Sequence, residues 1–229
     1  MGMRDAALPR QLALALGHRE SFDRADFLES PGNAAALALI DGWPGWPARV
    51  VALTGPEGAG KSHLAAIWAQ TVGARLIACR AIDARSVPQA LSTGALVIED
   101  ACHGDLDEAA MFHLLNLAHE ERAYVLLTAR EAPALWPAAL PDLASRLRVT
   151  PTVALAAPDD VLLCAIMVKL FADRQLAVDD ALIGYLMTRI ERTCAAARAA
   201  VAALDHAALR LKRPVNRALA GEILRERSP

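Results

Sequence analysis

The chain has 229 residues, with 24 Lys plus Arg against 26 Asp plus Glu and a formal charge of −2. That length can bury a sizeable core as one large domain or two unequal ones, and the near-zero charge gives no electrostatic footprint for gripping nucleic acid, so direct sequence-specific DNA binding is not expected. Four widely spaced cysteines without a C-x-x-C pair suit buried thiols in a reducing compartment and argue against a disulfide framework.

No basic region followed by an apolar core and a cleavage site opens the chain. The longest apolar run, VLLCAIMV at 161–168, falls far short of the roughly 20 residues a membrane helix needs. A cytoplasmic protein with no membrane partner is the expectation. Near the N-terminus, RQLALAL at 10–16 alternates leucine with alanine at the period that puts one row of side chains on one face. Two readings fit: a strand of the protein's own fold, or an extended docking peptide offering alternate side chains to a partner's pocket.

GWPGWP at 42–47 reads as a loop, because its prolines and glycines cannot continue a helix and each tryptophan before a proline is pushed toward extended geometry. RVVALTG follows as a short, β-branched buried strand. A helix starts near Lys61, with Leu64, Ile67, Trp68 and Thr71 spaced to share one face. Three more apolar runs, RLIAC at 75–79, ALVIED at 95–100 and YVLLTA at 124–129, alternate with helical stretches such as 107–122. Alternation of this kind implies a parallel sheet covered on both faces, with ligands bound beyond the carboxyl ends of the strands. From about residue 157 strand signals fade into three or four helices, broken at Asp179 and Asp180, around Arg192 and Thr193, and at Pro214.

The strongest motif is GPEGAGKS, made of Gly55, Pro56, Glu57, Gly58, Ala59, Gly60, Lys61 and Ser62. It fits G-x-x-x-x-G-K-[ST] between a predicted strand and a predicted helix, the context of a P-loop. Gly55, Gly58 and Gly60 let the backbone curl so that its N–H groups and the helix N-terminus face phosphate oxygens. Lys61 supplies a cation to the β- and γ-phosphates, and the Ser62 hydroxyl is placed to ligate magnesium. Such a site also needs an acidic residue at the end of a neighbouring strand for the magnesium, and in hydrolases another to orient water. Glu99 and Asp100 end ALVIED and fill that need, unless one of them caps the next helix. Thr128 ends the last strand and either touches the γ-phosphate or an attacking water, or is an ordinary strand-end hydroxyl. The histidines assemble no metal site: His113 and His119 are six apart, and Cys102 with His103 has no further ligands.

The P-loop followed by ALVIED, LLTAR, PDLASRL at 141–147 and the run PDDVLLCAIMVKLFADRQL at 158–176 resembles the DnaA branch of the AAA+ ATPases, and within it the Hda-type DnaA homologues that regulate replication initiation. The resemblance runs from Gln11 to Leu224. It implies an α/β fold, an AAA+ P-loop parallel-sheet domain over residues 21–156, a small all-helical lid over 157–229, and a flexible clamp-binding tail over 1–20. It implies ADP or ATP with magnesium as cofactors. QLALAL resembles the motif that docks on the DNA polymerase sliding clamp, with Gln11, Leu12, Leu14 and Leu16 as anchors. Arg146 in LASRL matches the arginine finger that reaches a neighbouring subunit's nucleotide. Asn33 and FDRADF at 22–27 resemble the box that closes over the adenine.

Two positions depart from the family's pattern. The usual Asp-Asp or Asp-Glu pair is Glu99–Asp100, which lengthens the magnesium ligand by one methylene. Ala195 falls where the family has its nucleotide-sensing arginine, with Arg192 and Arg198 three residues to either side as substitutes; Arg192 is counted with the nucleotide contacts. DnaA itself continues into a helix-turn-helix DNA reader, whereas this sequence stops at Pro229 just after the lid run. The resemblance therefore implies a modulator that docks on the clamp and promotes ATP hydrolysis by DnaA, with weak hydrolysis of its own; homo-oligomerisation stays open. The alternative is an autonomous AAA+ ATPase acting as a loader or remodeller. A small-molecule P-loop kinase is disfavoured by the helical lid and the absence of an acceptor-binding motif.

Overall fold

The computed structural model describes residues 23–101 and 106–227. Gln11, Leu12, Leu14, Leu16, Phe22, Cys102 and His103 lie outside the described residues. Five strands, β1 (Val50–Thr54), β2 (Arg75–Ala78), β3 (Ala95–Glu99), β4 (Tyr124–Ala129) and β5 (Thr152–Ala154), form one parallel sheet in the order β2-β3-β4-β1-β5. The helices before β5 are α1 (Ala34–Asp41), α2 (Lys61–Val72), α3 (Val87–Leu91), α4 (Glu108–Glu120) and α5 (Pro141–Arg148).

Strand alternation sends side chains to two separate cores. Ala52, Leu96, Ile98, Val125 and Leu127 face one with α3, α4 and α5; Val51, Leu53, Val97 and Leu126 face the other with α1 and α2. Both faces of the central strands are buried, so they read in sequence as continuous apolar runs. Helix α2 buries more than a stripe: His63, Leu64, Ala65, Ile67, Trp68 and Ala69 are all inside. Thr71, expected on that buried face, is exposed, and its hydroxyl donates to the Ile67 carbonyl at 2.8 Å. A threonine in the last turn satisfies itself on its own helix and needs no tertiary partner. The GWPGWP loop does more than connect elements. Trp46 is buried, stacks on Trp68 with ring centroids 4.8 Å apart, and donates its Nε1–H to the Leu39 carbonyl at 2.7 Å, the partner a buried indole needs.

Four helices follow the sheet: α6 (Asp160–Asp173), α7 (Asp180–Met187), α8 (Cys194–Leu211) and α9 (Arg217–Arg227). The starts of α7 and α8 fall at breaks read from sequence, and the cap of α6, Asp159, is added by the structure. The side chains of Asp159, Asp179 and Thr193 accept from the backbone N–H groups of Leu162, Leu182 and Ala196 at 2.7, 2.8 and 3.0 Å, each an N-cap. Leu163, Met167, Phe171, Leu182, Leu186, Val201, Leu204 and Leu219 give these helices a core of their own. Among the described residues no helix is long and apolar enough to cross a membrane.

Candidate functional site

The loop after β1 is shaped by positive backbone angles at Gly55, Gly58 and Gly60, with φ of +145°, +74° and +100°. At Gly58 a side chain is excluded twice over. The φ disfavours any L-residue, and a Cβ would stand 2.4 Å from Thr193 Cβ. Thr193 caps α8, and the next residue, Cys194, donates its N–H to the Gly58 carbonyl at 3.3 Å. The loop after β1 therefore touches the start of α8 directly.

A cavity of about 1310 Å³ opens between the carboxyl edge of the sheet and helices α6 and α8, above the usual size range for small-molecule pockets, roughly 300 to 1,000 Å³. Glu57, Gly58, Ala59, Gly60, Lys61 and Ser62 line it from the loop, Glu99 and Asp100 from the end of β3, and Asp26, Phe27 and Asn33 from the N-terminal side. Helix α6 contributes Leu162, Ile166 and Lys169, and α8 contributes Ala195, Arg198 and Ala199. Lys169 bridges Asp26 and Asp173 at 2.6 and 2.8 Å, which ties the N-terminal segment to α6.

Lys61 is buried, and its Nζ donates to the carbonyls of Gly55 and Pro56 at 2.8 Å each. Burial holds this ammonium below the ordinary lysine range, against the pull of the Asp100 charge. A desolvated cation held by two loop carbonyls beside glycines that admit no side chain fits an anionic phosphate group. Ser62 is exposed on the same wall and Glu99 is half-buried opposite, so both can hold a magnesium ion carried in with a nucleotide.

The acidic strand is not the immediate neighbour of β1, because β4 lies between them. Thr128 uses that position in an unexpected way. It is fully buried and absent from the cavity wall; its hydroxyl accepts the Asp100 N–H at 3.2 Å and its carbonyl accepts the Ala101 N–H at 2.8 Å. Asp100 itself sits at φ 51°, so Thr128 stabilises an uncommon turn that aims the acid pair. The following helix, α4, is capped by Asp107 and not by either acid.

Of the two lid arginines, the structure brings Arg198 to the cavity and leaves Arg192 outside. Arg192 precedes the Thr193 cap and pairs with Asp160 at 3.1 Å in an exposed contact. Arg198 lies one turn into α8, on the face shared with Ala195, Ala199 and Ala202, and hydrogen-bonds His63 Nδ1 at 2.8 Å. Because a guanidinium only donates, Nδ1 must be the unprotonated nitrogen. Nothing in the composition marked His63; the signal was its place two residues after Lys61 on a helix that is buried nearly all round. Asn33 stands at the N-cap position of α1, but its buried side chain fastens the turn before the helix and caps nothing: Oδ1 accepts from Ser30 N–H at 2.8 Å and Nδ2 donates to the Leu28 carbonyl at 3.0 Å. Phe27 packs edge-on to His63 at 5.3 Å.

Arg146 is exposed on α5 and does not line this cavity; its guanidinium lies over the Phe112 ring at 5.7 Å, while Leu143 and Leu147 of the same helix are buried.

Burial, with the Arg198 guanidinium beside it, pushes the His63 imidazole down to about 4; the Asp23 backbone and the Asp26 charge counter the shift, and Lys169 adds to it. The unfolded imidazole protonates near 6.5 while the folded one does not, so the unfolded state binds more protons between these values. His63 therefore contributes stability that is fully present above pH about 6.5 and is lost as pH falls toward about 4. Melting curves of the ligand-free protein should show a steeper loss of Tm across that window than those of His63→Gln, which keeps an acceptor for Arg198 but does not titrate. Parallel curves would mean that the ring is not held neutral.

No family model matches the sequence, and no curated protein does. Solved structures match in fold. Domain III of the replication initiation protein DnaA from Thermotoga maritima superposes with a TM-score of 0.70 at 18% identity, covering 90% of this chain and 96% of that one. A replication initiator DnaA bound to AMPPCP and single-stranded DNA gives 0.61 at 16% identity, over 82% of this chain and 67% of that one. The RuvB Holliday junction branch migration motor of Thermotoga maritima gives 0.65 at 20% identity, over 83% and 66%. The chain thus shares the AAA+-type fold of these structures, a parallel sheet followed by a group of helices.

Proposed function

We propose that this chain is a nucleotide-binding regulator of bacterial replication initiation that docks on the DNA polymerase sliding clamp and promotes ATP hydrolysis by DnaA. In this reading residues 1–20 form the clamp-binding tail, 21–156 the P-loop domain and 157–229 the lid, a division supported by the separate core of the last four helices. The observation that carries the nucleotide assignment is the cavity in which Lys61, Ser62, Glu99 and Arg198 meet, closed where Gly58 touches the start of α8. The loop N–H groups and Lys61 hold the phosphates of ADP or ATP, Ser62 and Glu99 hold magnesium, and Asp100 orients water. Arg198 takes the lid-side cation position left by Ala195, and Asn33 with Phe27 closes the base end.

The DnaA assignment is supported by the fold shared with DnaA domain III over 96% of that chain. It is supported too by Arg146, which stands clear of the chain's own cavity on an exposed helix face, as a group acting on another subunit must. The likeness to the RuvB branch migration motor favours a second reading, an autonomous ATPase. Rapid steady-state hydrolysis by the isolated protein would select that second reading.

Docking is tested by changing Gln11, Leu12 and Leu14 together to alanine. An amide and a few leucines on an extended segment can fill a preformed apolar groove without a large interface, so the triple variant should lose clamp capture while nucleotide binding and Tm stay within error. Persistent clamp capture with a lowered Tm would make RQLALAL a strand of the fold.

A further inference from the structure

A second hollow, of about 450 Å³, lies where α8 meets α7 and α9, a size that takes a compact ligand group. Its floor is apolar, built from Ile190, Ala196, Ala200 and Leu224, all buried or half-buried. Its rim is cationic. Arg189 and Arg225 line it, both exposed, and Arg217 stands beside them with its guanidinium 5.1 Å from the centre of the Tyr185 ring.

The rim is held in position from below. The Arg189 guanidinium lies over the Tyr185 ring at 3.8 Å and donates to Thr188 Oγ1 at 2.9 Å, while Arg225 Nε donates to the Gly221 carbonyl at 2.8 Å. Gly221 supplies the space: a Cβ there would stand 3.1 Å from the Tyr185 hydroxyl oxygen and 3.9 Å from Arg225 Nη2. Glycine inside a helix costs stability, and here its bare Cα lets the tyrosine and the arginine converge. Other arginines of this part of the chain, Arg192 and Arg213, pair with Asp160 and Glu222. Arg189, Arg217 and Arg225 pair with no carboxylate among the described residues, and guanidiniums gathered at one tyrosine repel one another until an anion joins them.

We propose that this hollow is a docking site for an acidic peptide segment carrying an apolar side chain, which enters the floor while flanking carboxylates take Arg189, Arg217 and Arg225. A guanidinium holds a carboxylate through two parallel hydrogen bonds, and an apolar side chain covers the floor. A nucleic-acid strand fits less well: it has no apolar side group for the floor, and the ring that could stack a base already lies under Arg189. The site does not depend on the reading of the large cavity as a nucleotide site, although Ala199 of α8 lines both.

The test is fluorescence anisotropy of labelled Gly-Ser-Asp-Asp-Leu-Asp-Asp-Ser-Gly titrated with the full chain. Its companions are a version with serine for the leucine, a version with asparagine for every aspartate, and a labelled single-stranded oligothymidylate. The first peptide should bind at least about ten-fold more tightly than either altered version. Arg189→Gln and Arg225→Gln should each weaken it about ten-fold, the equivalent of one charge-assisted hydrogen bond, with Tm unchanged because both side chains are exposed. Glu191→Gln, which removes an acid from the wall of the hollow, should strengthen it. No binding of the acidic peptide, equal binding of either altered version, or unchanged affinity in both arginine variants overturns the inference. Oligothymidylate bound more tightly than the peptide, and lost in the same arginine variants, overturns it in favour of a nucleic-acid surface.

Discussion

Lys61→Ala is expected to lower affinity for ADP and for ATP by about 100-fold while leaving the fold intact. Hydrogen bonds to charged groups contribute about 1.5 to 3 kcal/mol each, and a buried ammonium that reaches the phosphates through one or two of them accounts for a loss of that order. The fold does not depend on the charge. Burial holds the Lys61 ammonium below its ordinary range, so the folded state binds this proton less tightly than the unfolded chain. Protonated Lys61 thus subtracts from stability below the unfolded pKa, and alanine removes that penalty. What alanine leaves behind are the Gly55 and Pro56 carbonyls, both on a loop at the mouth of an open cavity where water can take the donor's place. Titration with a fluorescent nucleotide, paired with a melting curve of the ligand-free protein, reads both quantities. Affinity within about three-fold of the unmodified protein would sink the phosphate assignment; a collapsed Tm would show that Lys61 holds the loop.

The parts of this arrangement that were legible in sequence are those where one local pattern decides the outcome. β1, β3 and β4 are buried on both faces and so appear as unbroken apolar runs. The loop glycines declare themselves because only glycine fits φ of +74° at Gly58 against Thr193. Helices α7 and α8 start where Asp179 and Thr193 supply caps. β5 escaped because it is three residues long at the sheet edge and exposed at Thr152 and Ala154. α1, AAALALID, escaped because alanine and leucine alone do not separate a helix from a strand. The lid arginine shows the limit of spacing arguments. Arg192 and Arg198 are equally far from Ala195 in sequence, but helical spacing holds only inside a helix. α8 begins at Cys194, so Arg198 shares a face with Ala195 while Arg192 lies before the cap and pairs with Asp160. Thr128 was legible as a strand-end hydroxyl, but its partner Asp100 depends on β4 standing between β1 and β3, an order that no local pattern encodes.

The largest expected effect belongs to Arg146 and appears in another protein's chemistry. An arginine supplied across an interface neutralises charge developing on the transferred phosphoryl group, and such groups are worth roughly 10³ to 10⁵ in rate. In the proposed function Arg146 would take that role. Its helix is anchored by Leu143 and Leu147, and Glu108 accepts the Ala139 and Leu140 N–H groups at 2.9 and 2.8 Å, fixing the turn that precedes the helix. The guanidinium faces outward over Phe112 and pairs with no carboxylate among the described residues, so a partner's phosphate need not displace an ion pair to reach it. Arg146→Ala should therefore leave this chain's own nucleotide affinity, clamp capture and Tm unchanged, while its stimulation of DnaA-bound ATP hydrolysis falls by two orders of magnitude or more. Lysine should restore little, because it lacks the planar fork that holds two oxygens at once. The measurement is turnover of ATP bound to DnaA with clamp loaded on DNA, at equal clamp occupancy for the three proteins. Equal stimulation by all three would leave Arg146 as a surface residue packed on Phe112, and any effect on DnaA would have to come from a different face of the molecule.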